Sequence, residues 1–259
     1  MRPVLIMGPC SLESHETAMT VAEALDGFFR GLDRDVEWVF KGSWLKDNRT
    51  AAGAYSGPGM EAGLEILASV AKRFGVRVTT DIHAAGQAGP VAEVADILQI
   101  PAFLCRQTSL LRAAGATGLP VNVKKGQFMN PANMDGAAAK LRRAGCPEVW
   151  MTERGSFFGY GDLVVDLRSL SVMSGMADVV VMDVTHSLQR PGSLGGETGG
   201  SRGYAPQLAR AAAAWGVDGL FLETHPSPQD ARSDAATMLD PETACRTVRD
   251  ALRHWEGTE

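Results

Sequence analysis

The sequence predicts an α/β fold, a single (β/α)8 barrel domain spanning residues 1–259. Three observations point to it. Eight short apolar runs punctuate the chain, at residues 4–10, 36–43, 77–82, 97–102, 120–125, 148–154, 179–186 and 219–225. They are near-continuous rather than alternating, the pattern of parallel strands covered on both faces. Ala- and Leu-rich amphipathic stretches separate them, and 259 residues is the length of one such barrel.

Taken in order, strand 1 ends in the turn GPC and leads to a helix over 17–29. Strand 2 runs into KGSWLKDNR (41–49), and a helix follows over 60–74. Strand 3 ends in TTDIH and strand 4 in QIPA, and the stretches that follow them read as helices too, though less clearly than the others. Strand 5 ends in Lys124-Lys125, followed by a helix over 133–144. Strand 6 ends at Arg154, and GSFFGYGD (155–162) reads as a loop before a helix over 163–173. Strand 7 ends in DVTH. The segment after it, QRPGSLGGETGGSRG (189–203), is the most Gly-rich of the chain. It is too long and polar for a structural turn, so it is expected to be a mobile lid. A helix over 206–215, strand 8 and a helix over 241–255 complete the domain, with no linker and no repeat beyond the strand–helix alternation.

Composition excludes several function classes. A net charge of -5 with no basic stripe argues against nucleic acid. No apolar run reaches the roughly 18 residues of a membrane span, and the start of the chain lacks a cleavable signal. Cys10, Cys105, Cys146 and Cys245 form no CxxC pair. They are read as reduced thiols, and the protein as cytoplasmic.

Four potential metal ligands fall at or just beyond strand ends: Cys10 after strand 1, His186 after strand 7, Glu223 in strand 8 and Asp234 in the loop beyond it. Strands 7, 8 and 1 are neighbours in a closed barrel, so these side chains are expected to converge. One thiolate, one imidazole and two carboxylates suit Zn2+, Fe2+ or Mn2+. Singly each has a plainer reading: a packed cysteine, a hydrogen-bonded histidine, a helix-capping aspartate. The joint placement carries the argument. His83 and His225, also at strand ends, are expected to support the ligands or touch substrate.

Between these positions lie Lys41, Lys46, Lys124 and Arg154, with Ser43 and Arg49 in the same stretch as Lys46. Cations concentrated at a barrel mouth suit phosphate and carboxylate, and Arg154 has the fork for bidentate contact. The plainer reading is a solvated cationic rim. Gln99 offers an amide at the end of strand 4, and Arg106 follows as either a second phosphate contact or a contact between subunits.

The stretches GPCSLES, FKGSWLKDNR, TTDIHAAGQAGPVAEVADILQIPAFLCRQT, NVKKGQF, TERGSFFGYGDLVVD, DVTHSLQRPG and FLETHPSPQDARSDA together resemble 3-deoxy-D-manno-octulosonate 8-phosphate synthases, in order and over nearly the whole chain. The resemblance implies a (β/α)8 barrel, usually a homotetramer, that condenses phosphoenolpyruvate with arabinose 5-phosphate and releases phosphate in lipopolysaccharide sugar biosynthesis. It also implies the metal-dependent class, which carries Cys at the position of Cys10 where the metal-independent class carries Asn. The implied metal ligands are Cys10, His186, Glu223 and Asp234. Implied phosphoenolpyruvate contacts are Lys41, Ser43, Lys46, Gln99, Ala102, Lys124 and Arg154. Implied sugar-phosphate contacts are Asn48, Arg49, Asp81 and Arg106, the last reaching a neighbouring subunit. Lys46, Lys124, Asp81 and His186 are the expected catalytic group.

Departures from the family pattern cluster in one loop. Where KANRSS and SYRGPG are common, this chain reads KDNRTAAGAYSGPG, with Asp47, Thr50, Ala51 and Ser56 as the changed residues. Gly203 stands where an acidic residue is usual, and GYGD replaces GYNN. The phosphoenolpyruvate half is intact, so the second substrate is the open question. Three other readings remain: the same chemistry on another aldose phosphate, a metal-dependent barrel hydrolase, and a barrel that binds without turnover. The hydrolase reading lacks the HxH pair on strand 1 usual in such sites.

Overall fold

The computed structural model describes residues 2–47, 53–158, 161–193 and 198–255. Eight parallel strands close into a barrel: β1 (Val4–Gly8), β2 (Glu37–Lys41), β3 (Arg77–Asp81), β4 (Ile97–Ile100), β5 (Val121–Lys124), β6 (Val149–Glu153), β7 (Val179–Asp183) and β8 (Gly219–Glu223). Neighbours in the barrel are neighbours in sequence, and β8 closes on β1 with Gly8 opposite Glu223. The strands are shorter than the apolar runs that announce them, because Cys10, Ser43, Arg154 and His186 lie in the loops that follow.

Among the described residues, eight α-helices cover the barrel: α1 (His15–Arg30), α2 (Met60–Phe74), α3 (Ala88–Ala92), α4 (Thr108–Gly115), α5 (Asp135–Arg143), α6 (Arg168–Ser174), α7 (Ala205–Trp215) and α8 (Pro241–Leu252). Two of these, α3 and α4, lie in stretches where the helical pattern is least clear in the sequence. Helix α3 is five residues long and contains Gly89 and Pro90, which erase its periodicity. The helix expected over 163–173 starts later, at Arg168. Leu163–Val164 instead pairs with Ser156–Phe157 as an antiparallel ribbon. Asp166 decides the boundary, since its carboxylate accepts from the Arg168 backbone N–H at 3.0 Å. Helices α1 and α8 begin at side-chain caps, with Ser14 accepting from Thr17 N at 3.0 Å and Asp240 from Thr243 N at 2.8 Å.

Strand alternation divides the core in two. One set of side chains, including Leu5, Met7, Phe40, Leu98, Val123 and Leu222, packs outward against the helices. The opposite set, including Val4, Ile6, Val39, Ile97, Trp150, Val181 and Phe221, fills the barrel interior. Each fully buried Leu, Val or Phe contributes about 1.5–3 kcal/mol. At the carboxyl ends the same alternation turns Lys41, Asp81, Gln99, Lys124, Asp183 and Glu223 onto the interior, all of them buried. The top of the barrel is therefore polar where its middle is apolar.

Candidate active site

Gly8 makes room for the first part of this polar layer. A Cβ at Gly8 would stand 2.0 Å from the Lys41 carbonyl oxygen, so only glycine lets β1 and β2 approach there. Lys41 then extends across the barrel top and donates to Glu223 Oε1 at 2.8 Å and to the Cys10 carbonyl at 3.1 Å.

The structure brings together the four expected metal ligands. One ligand atom from each of Cys10, His186, Glu223 and Asp234 lies within 4.8 Å of every other. The Cys10 thiol donates to Asp234 Oδ2 at 2.9 Å, and His186 Nε2 stands 3.3 Å from Glu223 Oε2. Asp234 has φ of 52°, the only non-glycine in the left-handed region among the described residues. Such a conformation costs on the order of 1 kcal/mol. It is held by local bonds, with Gln189 Nε2 and the Ser233 hydroxyl also donating to its carboxylate, at 2.7 and 2.9 Å.

The electrostatics are those of a compact anionic cluster ringed by lysines. Burial pushes the Cys10 thiol well up, and the Asp234 and Glu223 carboxylates push it further. Burial also opposes ionisation of Glu223, yet His186, Lys41 and Lys46 outweigh it and hold that carboxyl at about 2. Asp234 is held low against its burial by Lys46 and His186. Lys46 Nζ lies 4.0 Å from both Glu223 Oε1 and Asp234 Oδ2. Burial draws Lys46 down, but Cys10, Glu223, Asp234 and Asp81 reverse the sign and leave it well above its ordinary value. A soft thiol, an imidazole nitrogen and two ionised carboxylates at this spacing fit a borderline divalent cation.

Beside the cluster, Lys41, Lys46, Asp81, Gln99, Ala102, Lys124, Arg154 and His186 line one cavity at the barrel mouth. Asp81 fixes two of the expected substrate residues, accepting from the Ser43 hydroxyl and the Gln99 amide. Its carboxyl is held far down despite burial, by Lys41 and Lys46. Lys124 Nζ sits 3.4 Å above the centre of the Phe221 ring, a cation–π contact with the apolar barrel interior. Burial pulls Lys124 below its ordinary value, and Asp183 partly offsets this. Arg154 gives Nη2 to Gln189 Oε1 at 2.8 Å, while its buried Nη1 has no partner among the described residues. A buried guanidinium nitrogen without a partner suits an anion acceptor.

Not every expected residue converges. Asn48 and Arg49, with Thr50 and Ala51, lie outside the described residues. Arg106 is exposed and lines a separate cleft with Phe128, Asn133 and Lys140, outside the barrel mouth. His83 lines the mouth and stands edge-on to Trp44, with ring centres 5.9 Å apart. His225 instead faces its own loop, with Nδ1 2.8 Å from the Ser227 carbonyl oxygen and Nε2 3.8 Å from Glu13 Oε2. The expected lid is partly anchored: Gln189–Arg190 pairs with Gly199–Gly200, and Arg190 bonds Asp162 of the GYGD segment. Residues 194–197 of that segment lie outside the described residues.

Sequence reading passed over three buried polar residues of the site. Asp183 bonds both Lys124 and His186, at 2.6 and 2.7 Å. Gln189 bridges Arg154 and Asp234. Glu153 accepts from the backbone N–H groups of Arg154 and Gly155 at 2.9 and 2.7 Å and pairs with Lys125 at 3.3 Å. This fastens the turn at Gly155, where φ is 87°. Strand parity was the available signal for Asp183, because it occupies the inward layer of β7 three residues before His186.

The DAHP synthetase I family model matches residues 1–258. The chain is 52% identical over 239 residues to a 2-dehydro-3-deoxyphosphooctonate aldolase of Desulfatibacillum aliphaticivorans, covering 92% of this chain and 87% of that protein. It is 47% identical over 265 residues to the protein of the same name from Helicobacter pylori (strain P12), covering 97% and 95%. The protein so named from Helicobacter hepaticus is 47% identical over 247 residues, covering 91% and 90%.

Proposed function

Because the chain belongs to the DAHP synthetase I family, we propose that it condenses phosphoenolpyruvate with arabinose 5-phosphate. The products would be 3-deoxy-D-manno-octulosonate 8-phosphate and inorganic phosphate. The names of its relatives support the product, and their extensive coverage of the chain supports the same reaction here. One observation carries the site assignment: four metal-ligating side chains within 4.8 Å of one another adjoin a cavity lined by Lys41, Lys46, Lys124 and Arg154.

In this reading Cys10, His186, Glu223 and Asp234 hold a divalent cation, Zn2+, Fe2+ or Mn2+. When bound, that cation supplies electrophilic polarisation of a carbonyl or water oxygen. Lys124, Arg154 and Lys46 bind the phosphate and carboxylate of phosphoenolpyruvate and offset the charge that develops during reaction. Gln99, Ser43 and Ala102 shape the same pocket, and Asp81 accepts a sugar hydroxyl. C3 of phosphoenolpyruvate attacks the aldehyde carbon, forming the new C–C bond. Water adds to C2, and the C2–O bond to phosphate then breaks, releasing phosphate. Arg106, outside the mouth and exposed, is assigned to the sugar phosphate of a neighbouring subunit in a homotetramer. A cytoplasmic place in lipopolysaccharide sugar biosynthesis follows from the same reading. No described helix is long and apolar enough to cross a membrane.

A second reading has its own observation. Asp47, Thr50, Ala51 and Ser56 depart from the family pattern in the loop expected to grip the sugar phosphate. That favours the same chemistry on a different aldose phosphate. The deciding experiment measures phosphate release from phosphoenolpyruvate with arabinose 5-phosphate, with and without a chelator, and then with a panel of aldose phosphates. Turnover with arabinose 5-phosphate that chelation abolishes and Mn2+ or Zn2+ restores supports the first reading. Turnover only with another aldose phosphate supports the second, and no turnover with any of them would sink both.

A further inference from the structure

Asp183 is wholly buried at the end of β7, between the two halves of the site. Its oxygens divide their work. Oδ1 accepts from Thr185 N at 3.0 Å, Thr185 Oγ1 at 3.1 Å and His186 N at 2.8 Å. Oδ2 accepts from Lys124 Nζ at 2.6 Å and faces His186 Nδ1 at 2.7 Å. Lys124 and His186 are themselves 3.4 Å apart, so one oxygen positions both.

We propose that Asp183 is a positioning residue that ties the metal half of the site to the anion half. It sets the His186 ring and the Lys124 ammonium from a single carboxylate oxygen. The proposal rests on reading Cys10, His186, Glu223 and Asp234 as a metal centre.

The chemistry follows from donor and acceptor counting. An ionised carboxylate only accepts and a lysine ammonium only donates. Facing Oδ2, His186 must therefore donate from Nδ1, which leaves Nε2 to the cluster, 3.3 Å from Glu223 Oε2. Fixing one ring nitrogen by a carboxylate and freeing the other is how outer groups orient a ligating histidine. Lys124 cannot move toward the anion cavity without changing the same oxygen's contacts. Substrate charge and the orientation of His186 are thus coupled through Asp183.

The substitution Asp183→Asn makes a sharp test. Three donors on Oδ1 will select the amide oxygen for that side, turning the NH2 group toward Lys124 and His186 Nδ1. Two donors would then face Nδ1, so the neutral ring must carry its proton on Nε2, the atom aimed at the cluster. The expected result is an affinity for Co2+ or Zn2+ lower by about 10–100-fold, read by competition with a chromophoric chelator. Weaker phosphoenolpyruvate binding, read by calorimetry, accompanies it.

Removing a buried charge from Lys124 could unfold the barrel, so the charge-balanced pair Asp183→Asn with Lys124→Gln is made alongside. Circular dichroism verifies its fold, and its metal affinity is expected to fall in the same way. If the wild-type protein binds the ion and either folded variant binds it equally tightly, the proposal is overturned. If the wild-type protein binds no ion, the metal reading itself fails. In that case 15N NMR of the neutral His186 ring decides the role of Asp183. A proton on Nδ1 in the wild type and on Nε2 in Asp183→Asn sustains it, and the same tautomer in both refutes it.

Discussion

The Cys10 thiol donates to Asp234 Oδ2 at 2.9 Å although 224 residues of chain separate them. Barrel closure makes this possible, because β1 pairs with β8 and Asp234 follows β8. Replacing Cys10 by Ala removes the only soft donor of the cluster. Outer-sphere partners alone are worth about 10–100-fold in metal affinity, so the loss here should be on the order of 100-fold or more. Metal titration and chelator-sensitive turnover both report it, and unchanged affinity would contradict the assignment of Cys10.

Arg154 meets the cavity at the barrel mouth with a buried nitrogen that no atom of the described residues satisfies. Arg154→Lys keeps the charge and loses the planar fork. The expected outcome is a higher KM for phosphoenolpyruvate and a fall in kcat/KM on the order of 100-fold, within the range for breaking a buried charged contact. A change in the sugar-phosphate KM alone would place Arg154 in the wrong half of the site.

Asp47 is exposed near the mouth, where family members commonly carry a small residue. A carboxylate near a phosphate dianion costs little at an exposed position, about 0.2–1 kcal/mol. Asp47→Ala should therefore lower the KM for the sugar phosphate by roughly 2–5-fold at low salt, and less at high salt. Steady-state kinetics at two ionic strengths check it, and an unchanged or raised KM would count against this account of the loop.

Gly8 supports the site without touching it. Gly8→Ala would drive a methyl group into the Lys41 carbonyl and part β1 from β2. Overpacking of this kind typically costs about 1–3 kcal/mol. Thermal unfolding should show the loss together with weaker binding of phosphoenolpyruvate, since Lys41 moves with β2. Full stability in the variant would refute the close-approach argument.

Asp240 caps α8 by accepting from Thr243 N at 2.8 Å. Burial alone would raise its carboxyl, but the Thr243 hydrogen bonds outweigh it and the net shift is downward. A folded-state value below the unfolded one gives stability that is complete above the ordinary aspartate value near 3.9 and lost as pH falls further. Asp240→Ala should thus cost about 1 kcal/mol at neutral pH, with the gap closing below about pH 4. Denaturant unfolding at both pH values tests it, and a gap that widened in acid would reverse the sign.

The sequence by itself determined the barrel and most of its mouth. Eight apolar runs set the strand count, and the carboxyl ends of a parallel barrel share one mouth, so the placement of Cys10, His186, Glu223, Lys41, Lys124 and Arg154 there was legible one strand at a time. Local pattern failed where it is weak. Gly89 and Pro90 blurred the pattern of α3, and Asp166 moved the start of α6. Only the tertiary structure decided which side chains share a partner. Asp183 looks like any buried strand aspartate until β5 and β7 place Lys124 and His186 on one of its oxygens. Gln189 looks like the first residue of a loop until it bridges Arg154 and Asp234. The reason is physical. Periodicity and propensity are properties of neighbours along the chain, whereas a hydrogen bond depends on a few tenths of an ångström between atoms that only barrel closure brings together.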